Sequence, residues 1–168
     1  MRFAAAVVVV LLLGLCTRRV HAQVPHILGT WKQNVAASHL PPGPPPQVHM
    51  RSYQLADDGA LIGLAVVVDA QGHPNFLQFA AKPDGKDYPE FDSFSLAQLQ
   101  IDGTKPRQTY SETPVDSHTV EWTDKTDGRV VGHGRRRVSE DGKTLTLTAL
   151  FKNDKNEELE YRFVFDRQ

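Results

Sequence analysis

The chain has 168 residues, with 19 Lys and Arg against 20 Asp and Glu, a formal net charge of −1 and a single cysteine. That length suits one domain behind a leader better than two domains. The near balance of charge offers no basic excess for nucleic acid or an anionic membrane surface to select, and one cysteine excludes an intramolecular disulfide framework.

In chain order, the apolar run 3–15 follows Arg2, and Val20-His21-Ala22 forms a small-residue cleavage pattern before Gln23. This reads as a signal peptide over 1–22, with an apolar core too short to span a bilayer. An uncleaved anchor stays open as the alternative, because Arg18 and Arg19 make a basic flank. Cleavage after Ala22 would remove Cys16 and three arginines, leaving a more acidic, disulfide-free domain over 23–168 that depends on its own core. The expected destination is the periplasm or beyond, with no stable membrane span after cleavage.

Residues 27–32, Ile-Leu-Gly-Thr-Trp-Lys, read as a first strand carrying a large aromatic. Five prolines at 41, 42, 44, 45 and 46 then remove backbone donors and fix φ, so neither helix nor inner strand forms there. The segment is expected to be a stiff surface connection, with a proline-rich recognition peptide as the alternative.

From 48 onward the pattern is strand, turn, strand. Runs at 48–55, 61–68, 76–82, 118–123, 129–138, 144–151 and 158–165 are separated by Gly- and Asp-rich turns, with Asn153-Asp154 closing the last hairpin. Connections this short make sequential strands antiparallel neighbours. Alternation puts Leu145, Leu147, Ala149 and Phe151 on one side, opposite Thr144, Thr146 and Thr148. Likewise Leu159, Tyr161, Phe163 and Phe165 oppose Glu160, Arg162 and Asp166. A meander of half-buried strands leaves two open edges unless it curls. The expectation is therefore an all-β fold, an antiparallel barrel of about nine or ten strands whose first and last meet, with a flat or sandwich-like sheet as the alternative. Segment 92–103 fits either a strand, by alternation of Ser95, Ala97, Leu99 and Ile101, or a short helix capped by Asp92 or Ser93 and stopped by Gly103. As a helix it would cover a barrel mouth or decorate the surface.

Several of these features occur together and in order: Gly29-Thr30-Trp31-Lys32, the proline-rich connection, Asp-Gly-Lys-Asp-Tyr-Pro at 84–89, Ser-Glu-Asp-Gly-Lys-Thr-Leu at 139–145, and the ending Phe165-Asp166-Arg167. The chain thereby resembles the calycin-type barrels, most of all the small exported bacterial proteins called lipocalin-like. Fatty-acid-binding proteins and avidins share the Gly-Thr-Trp start, but the former place a helical pair where this chain has prolines. The resemblance implies that a basic side chain of the last strand lies over the first strand's tryptophan. Parity with Tyr161, Phe163 and Phe165 selects Arg167, which with Gly29 and Trp31 would close the barrel.

For binding, Arg136 shares a side with Val130 and Val138; if that side faces inward, the guanidinium needs a carboxylate, from a ligand or from an internal Asp or Glu. Tyr53, Trp122 and Tyr161 are the aromatics expected to line a cavity with it. The six histidines outside the leader are singletons without an i, i+4 pair, so no metal site is expected. No phosphate loop, nucleophile elbow or dinucleotide motif marks a cofactor, and no motif places a catalytic group. The resemblance implies carriage of a small hydrophobic ligand. Two other readings stay open: an envelope protein with a filled barrel that works through its surface, and an isomerase- or hydratase-type barrel enzyme, which requires a polar pocket holding a titratable pair with perturbed pKa values.

Overall fold

The structure is a computed structural model and describes residues 26–152, 155 and 157–168. The expected leader, 1–22, and the Asn153-Asp154 turn lie outside the described residues. Ten strands and one helix follow one another: β1 (Gly29–Gln33), β2 (Val48–Leu55), β3 (Leu61–Val68), β4 (Pro74–Ala81), β5 (Tyr88–Asp92), α1 (Ser93–Asp102), β6 (Gln108–Pro114), β7 (Thr119–Thr126), β8 (Arg129–Val138), β9 (Thr144–Lys152) and β10 (Glu158–Arg167). Every strand pairs antiparallel with its sequence neighbours, and β1 pairs with β10, placing Trp31 opposite Arg167, so the meander closes into a barrel. Closure pairs both sheet edges and leaves no strand as an open template. α1 is too short to cross a membrane, and no other described helix is long and apolar enough to do so.

β5 and β6 occupy stretches that alternation does not mark as strands. Their inward residues include Glu90, Tyr110 and Glu112, so the usual apolar beat is missing. Segment 92–103 is helical. Asp92 accepts from the Ser95 amide at 2.7 Å, and the Ser95 hydroxyl accepts from the Asp92 amide at 2.9 Å, a reciprocal cap that stops β5 and starts α1 in one step. Gly103, at φ 77°, ends it in the left-handed conformation. The helix buries none of its residues and lies against β4 and β5 on the outside.

Topology gives the barrel two unlike ends. At one end lie the start of β1, the end of β10 and four tight hairpins; at the other lie the proline-rich connection and α1. The first end is plugged. Trp31 is fully buried, and its indole N–H donates to the Ile27 carbonyl at 2.7 Å. The Arg167 guanidinium sits 4.2 Å from the Trp31 ring centroid and donates to the carbonyls of Leu28 (2.7 Å), His26 (2.6 Å) and Gly142. One side chain thus ties together β10, the segment before β1 and the β8–β9 turn. Gly29 is required beneath it: φ is 121°, and a Cβ there would lie 2.9 Å from an Arg167 nitrogen.

Inside, small residues make room for rings. Gly63 on β3 faces Phe79 on β4, and Gly132 on β8 faces Phe151 on β9; in each pair a Cβ on the glycine would fall within 2.5 Å of the ring. A ring can therefore lie over the neighbouring glycine in each pair, where a side chain would push it aside.

Replacing Arg167 by Ala is expected to lower the free energy of unfolding by about 1–3 kcal/mol, from the lost cation–π contact and carbonyl bonds. Urea denaturation would measure this, with Arg167→Lys recovering only part because an ammonium cannot serve three carbonyls on two segments while lying flat on the indole.

Candidate functional site

Above the plug, the interior divides into two tiers of polar groups. The lower tier is self-contained. Arg136 on β8 and Glu112 on β6 are 3% and 2% exposed, and the guanidinium donates to the Glu112 carboxylate at 2.7 Å and to the Tyr110 hydroxyl at 2.9 Å. Tyr110 in turn donates to the same carboxylate at 2.7 Å, and the guanidinium lies 4.8 Å from the Tyr53 ring centroid. Burial, opposed by the Arg136 charge and helped by Glu112, holds the Tyr110 phenol well above its ordinary pKa, so it stays a donor. The tier is charge-neutral and nearly saturated with hydrogen bonds, which is what makes so deep an ion pair tolerable. Only Arg136 Nε lacks a partner.

The upper tier surrounds a cavity of about 180 Å³. Its floor is the tier below, contributed by Tyr53, Tyr110 and Phe79, the last two stacked at 3.9 Å. Leu77, Phe151 and Phe163 supply apolar wall. The polar lining is Arg51 and His49 of β2, Glu90 of β5, and Trp122 and Asp124 of β7. A register shift between Asp124 and Lys125, where β8 carries the extra Val131, bends the sheet beside Asp124. The same bulge explains Val130: parity along β8 groups it with Arg136, but Val130 is half exposed.

Unlike the lower tier, this one is unsatisfied. Arg51 donates to the Tyr53 hydroxyl at 3.2 Å, but its Nε, the Trp122 indole N–H, Asp124 Oδ1 and His49 Nε2 are buried without a hydrogen-bond partner. Burial pushes Glu90 up to about 8, reinforced by the Asp124 and Asp92 carboxylates and opposed by Arg51. Burial also pushes Asp124 up to about 7 against the pull of Arg51. His49 is pressed down to about 3 by burial and by Arg51, so its imidazole is neutral. Two carboxyl groups therefore share one guanidinium, and at neutral pH a proton supplies the missing positive charge.

Of the residues singled out from sequence, Tyr53 and Trp122 line the cavity. Arg136 lies beneath it, committed to Glu112 and Tyr110. Tyr161 is half-buried beside Phe151, at 6.4 Å between ring centroids, and does not line the cavity. Gly29, Trp31 and Arg167 meet at the plugged end. His49, Arg51, Glu90 and Asp124 were not singled out. Arg51 and His49 were within reach, since they share parity with Tyr53, and Asp124 lies two residues beyond Trp122. Glu90 sits on a strand that sequence does not announce.

Fold and site together define a closed ten-stranded antiparallel barrel with an internal cavity, open towards the mouth, whose largely apolar wall carries a few buried polar groups. Comparison with protein-family models and with curated proteins gives no match.

Two outcomes follow from the tiers. Glu112→Gln leaves Arg136 buried without its counter-charge and is expected to cost about 3–5 kcal/mol in chemical denaturation, whereas the pair replacement Arg136→Met with Glu112→Leu costs less. In the upper tier, Glu90 and Asp124 hold protons in the folded protein that the unfolded chain releases, so their stabilisation is complete below the ordinary carboxylate range and fades as pH rises through about 7 and 8. His49 acts in the opposite sense, but only below its ordinary value of 6.5. Stability is therefore expected to fall between pH 6.5 and 8, and Glu90→Gln to flatten that fall and exceed wild type by about 1–3 kcal/mol at the alkaline end.

Proposed function

We propose that this chain is an exported, lipocalin-like binding protein that takes a small molecule into the cavity between the Arg136–Glu112 floor and the mouth. The observation that carries the reading is the cavity itself: walled by rings, yet lined by buried polar atoms that the protein leaves unpaired. Such atoms each cost free energy unless something occupies the space to satisfy them. Tyr53 and Trp122 contribute contact surface, and the Trp122 N–H and Arg51 contribute orientation.

The volume limits the ligand. A cavity of about 150 Å³ holds benzene, so 180 Å³ accommodates one ring with a short arm and not a fatty acid. The small hydrophobic ligand implied by resemblance is accordingly narrowed to a compact molecule with a polar end. The proposal of export rests on the apolar run and the cleavage pattern of the leader.

A second reading has one specific observation behind it. Glu90 and Asp124 form a titratable pair shifted towards neutrality, with the unpartnered Arg51 Nε and Trp122 N–H donors nearby, the equipment of an acid–base isomerase or hydratase. Turnover of a bound carbonyl compound that stops in Glu90→Gln would favour it.

For the binding reading, a neutral one-ring probe such as benzyl alcohol is expected to raise the melting temperature by about 2–4 °C at several times its Kd. Ala65→Phe, which projects a ring into the cavity from β3, is expected to abolish that shift while the far-ultraviolet circular dichroism keeps its β signature. An equal shift in the filled variant would place the probe elsewhere and remove the reading.

A further inference from the structure

We infer, resting on the binding reading above, that the cavity selects a small organic cation, an ammonium on a one-ring body, and takes it up in exchange for a proton.

The warrant is a mismatch of charge among buried groups lining the cavity. The upper tier presents two carboxyl groups, Glu90 and Asp124, and one guanidinium, Arg51. Glu90 is 7% exposed, and Trp122, beside it in the lining, is 5% exposed with its N–H unpartnered. The deficit is one positive charge, and nothing else facing the pair supplies it. From β2, His49 is neutral and Tyr53 is engaged with Arg51. From β5, Asp92 at the mouth adds negative potential to Glu90. From β6, Glu112 is cancelled by Arg136, and Tyr110 is bound to both. Among the described residues no group of three or more His, Cys, Asp or Glu is arranged to hold a metal ion; an ammonium is the cation whose several N–H donors suit the two carboxyl groups of β5 and β7.

Three ligand charges can be weighed against this arrangement. An anion would meet Arg51 but would also place a third negative charge beside Glu90 and Asp124. A neutral molecule would leave the carboxyl proton where it is and use only the walls. An ammonium replaces the proton with a charge that makes up to three hydrogen bonds, matching Asp124 Oδ1 and the Glu90 carboxylate, while its ring lies against Phe79, Phe151 and Phe163. The exchange is balanced: protonated cavity plus ammonium gives the ammonium-filled cavity plus one proton released to solvent. Affinity therefore rises about tenfold per pH unit below the region where the pair titrates and levels off above it.

The test is isothermal titration calorimetry of the full chain near pH 6 and near pH 8, using benzylamine, benzyl alcohol and benzoate as probes of nearly equal shape. Benzylamine is expected to bind at least about tenfold more tightly than benzyl alcohol near pH 8, to gain affinity with pH, and to release close to one proton, read from buffers of different ionisation enthalpy. Benzoate should bind weakest. In Glu90→Gln and in Asp124→Asn the preference for the amine over the alcohol should shrink to less than about threefold, whatever the absolute affinities. Benzyl alcohol binding as tightly as the amine, or benzoate binding best, overturns the cation assignment and leaves the cavity reading standing. If none of the three probes binds, the cavity reading fails and this inference with it.

Discussion

Everything inside this barrel depends on the pairing of β1 with β10. That seam is short, with three register pairs between Trp31 and Gln33 on one side and Phe165 and Arg167 on the other. Its strength comes from the plug beneath it: Trp31 buried to zero exposure, and Arg167 lying on its face while bonded to carbonyls from separate segments. A sheet of ten strands that failed to meet would expose two edges and open its inner face to water. Once closed, the tube denies water to whatever polar groups point inward, and each must find its partner within the wall.

The two tiers answer that demand in opposite ways. Arg136, Glu112, Tyr110 and Tyr53 form a network in which donors meet acceptors and the net charge is zero; deep ion pairs survive when the remaining hydrogen-bonding capacity is also used. This network is a structural floor. Arg51, Glu90 and Asp124, about one residue layer nearer the mouth, carry unequal charge and leave atoms unpaired. The folding cost of the upper tier is tolerated above a floor that is already sound, and the separation explains how one barrel keeps both a hydrogen-bonded base and a chamber with unpaired polar atoms. Rules of internal consistency break at functional places more often than elsewhere.

The sequence discloses the frame more readily than the chamber. Strands with strong alternation, such as β9, whose Leu145, Leu147 and Ala149 all point inward, are legible because burial and apolarity coincide. Segment 92–103 was legible only as a strand or a helix: Asp92 and Gly103 offered a cap and a stop, but the alternation of Ser95, Ala97, Leu99 and Ile101 competed, and the reciprocal Asp92–Ser95 cap that decides it appears only in the structure. The inward parity of Arg167 follows from three aromatics before it. β5 and β6 are hidden because their inward residues are Glu90, Tyr110 and Glu112, and a hydrophobic pattern reader counts a buried carboxylate as exposed. That Arg136 needs an acid if it faces inward was legible, but the parity offered for it included Val130, which the bulge turns outward, and which acid it meets was not, since Glu112 is 24 residues away and its strand is unannounced. The bulge at Val131 is a feature of register, and no residue type signals it.

Aromatic side chains decide the size of the chamber. Phe79 lies across Gly63 and stacks on Tyr110, and Phe151 lies across Gly132; glycine at both positions lets a ring hug the wall. Larger residues there would push both rings inward and close the space, whereas alanines in place of the phenylalanines would open it well beyond 180 Å³. The volume is therefore set by paired choices on neighbouring strands. The charge is set separately, by Glu90 and Asp124 on strands that face each other across β6. On the binding proposal, size restricts the occupant to about one ring and charge restricts what that ring can carry; a chamber built only for packing would have needed neither carboxyl group.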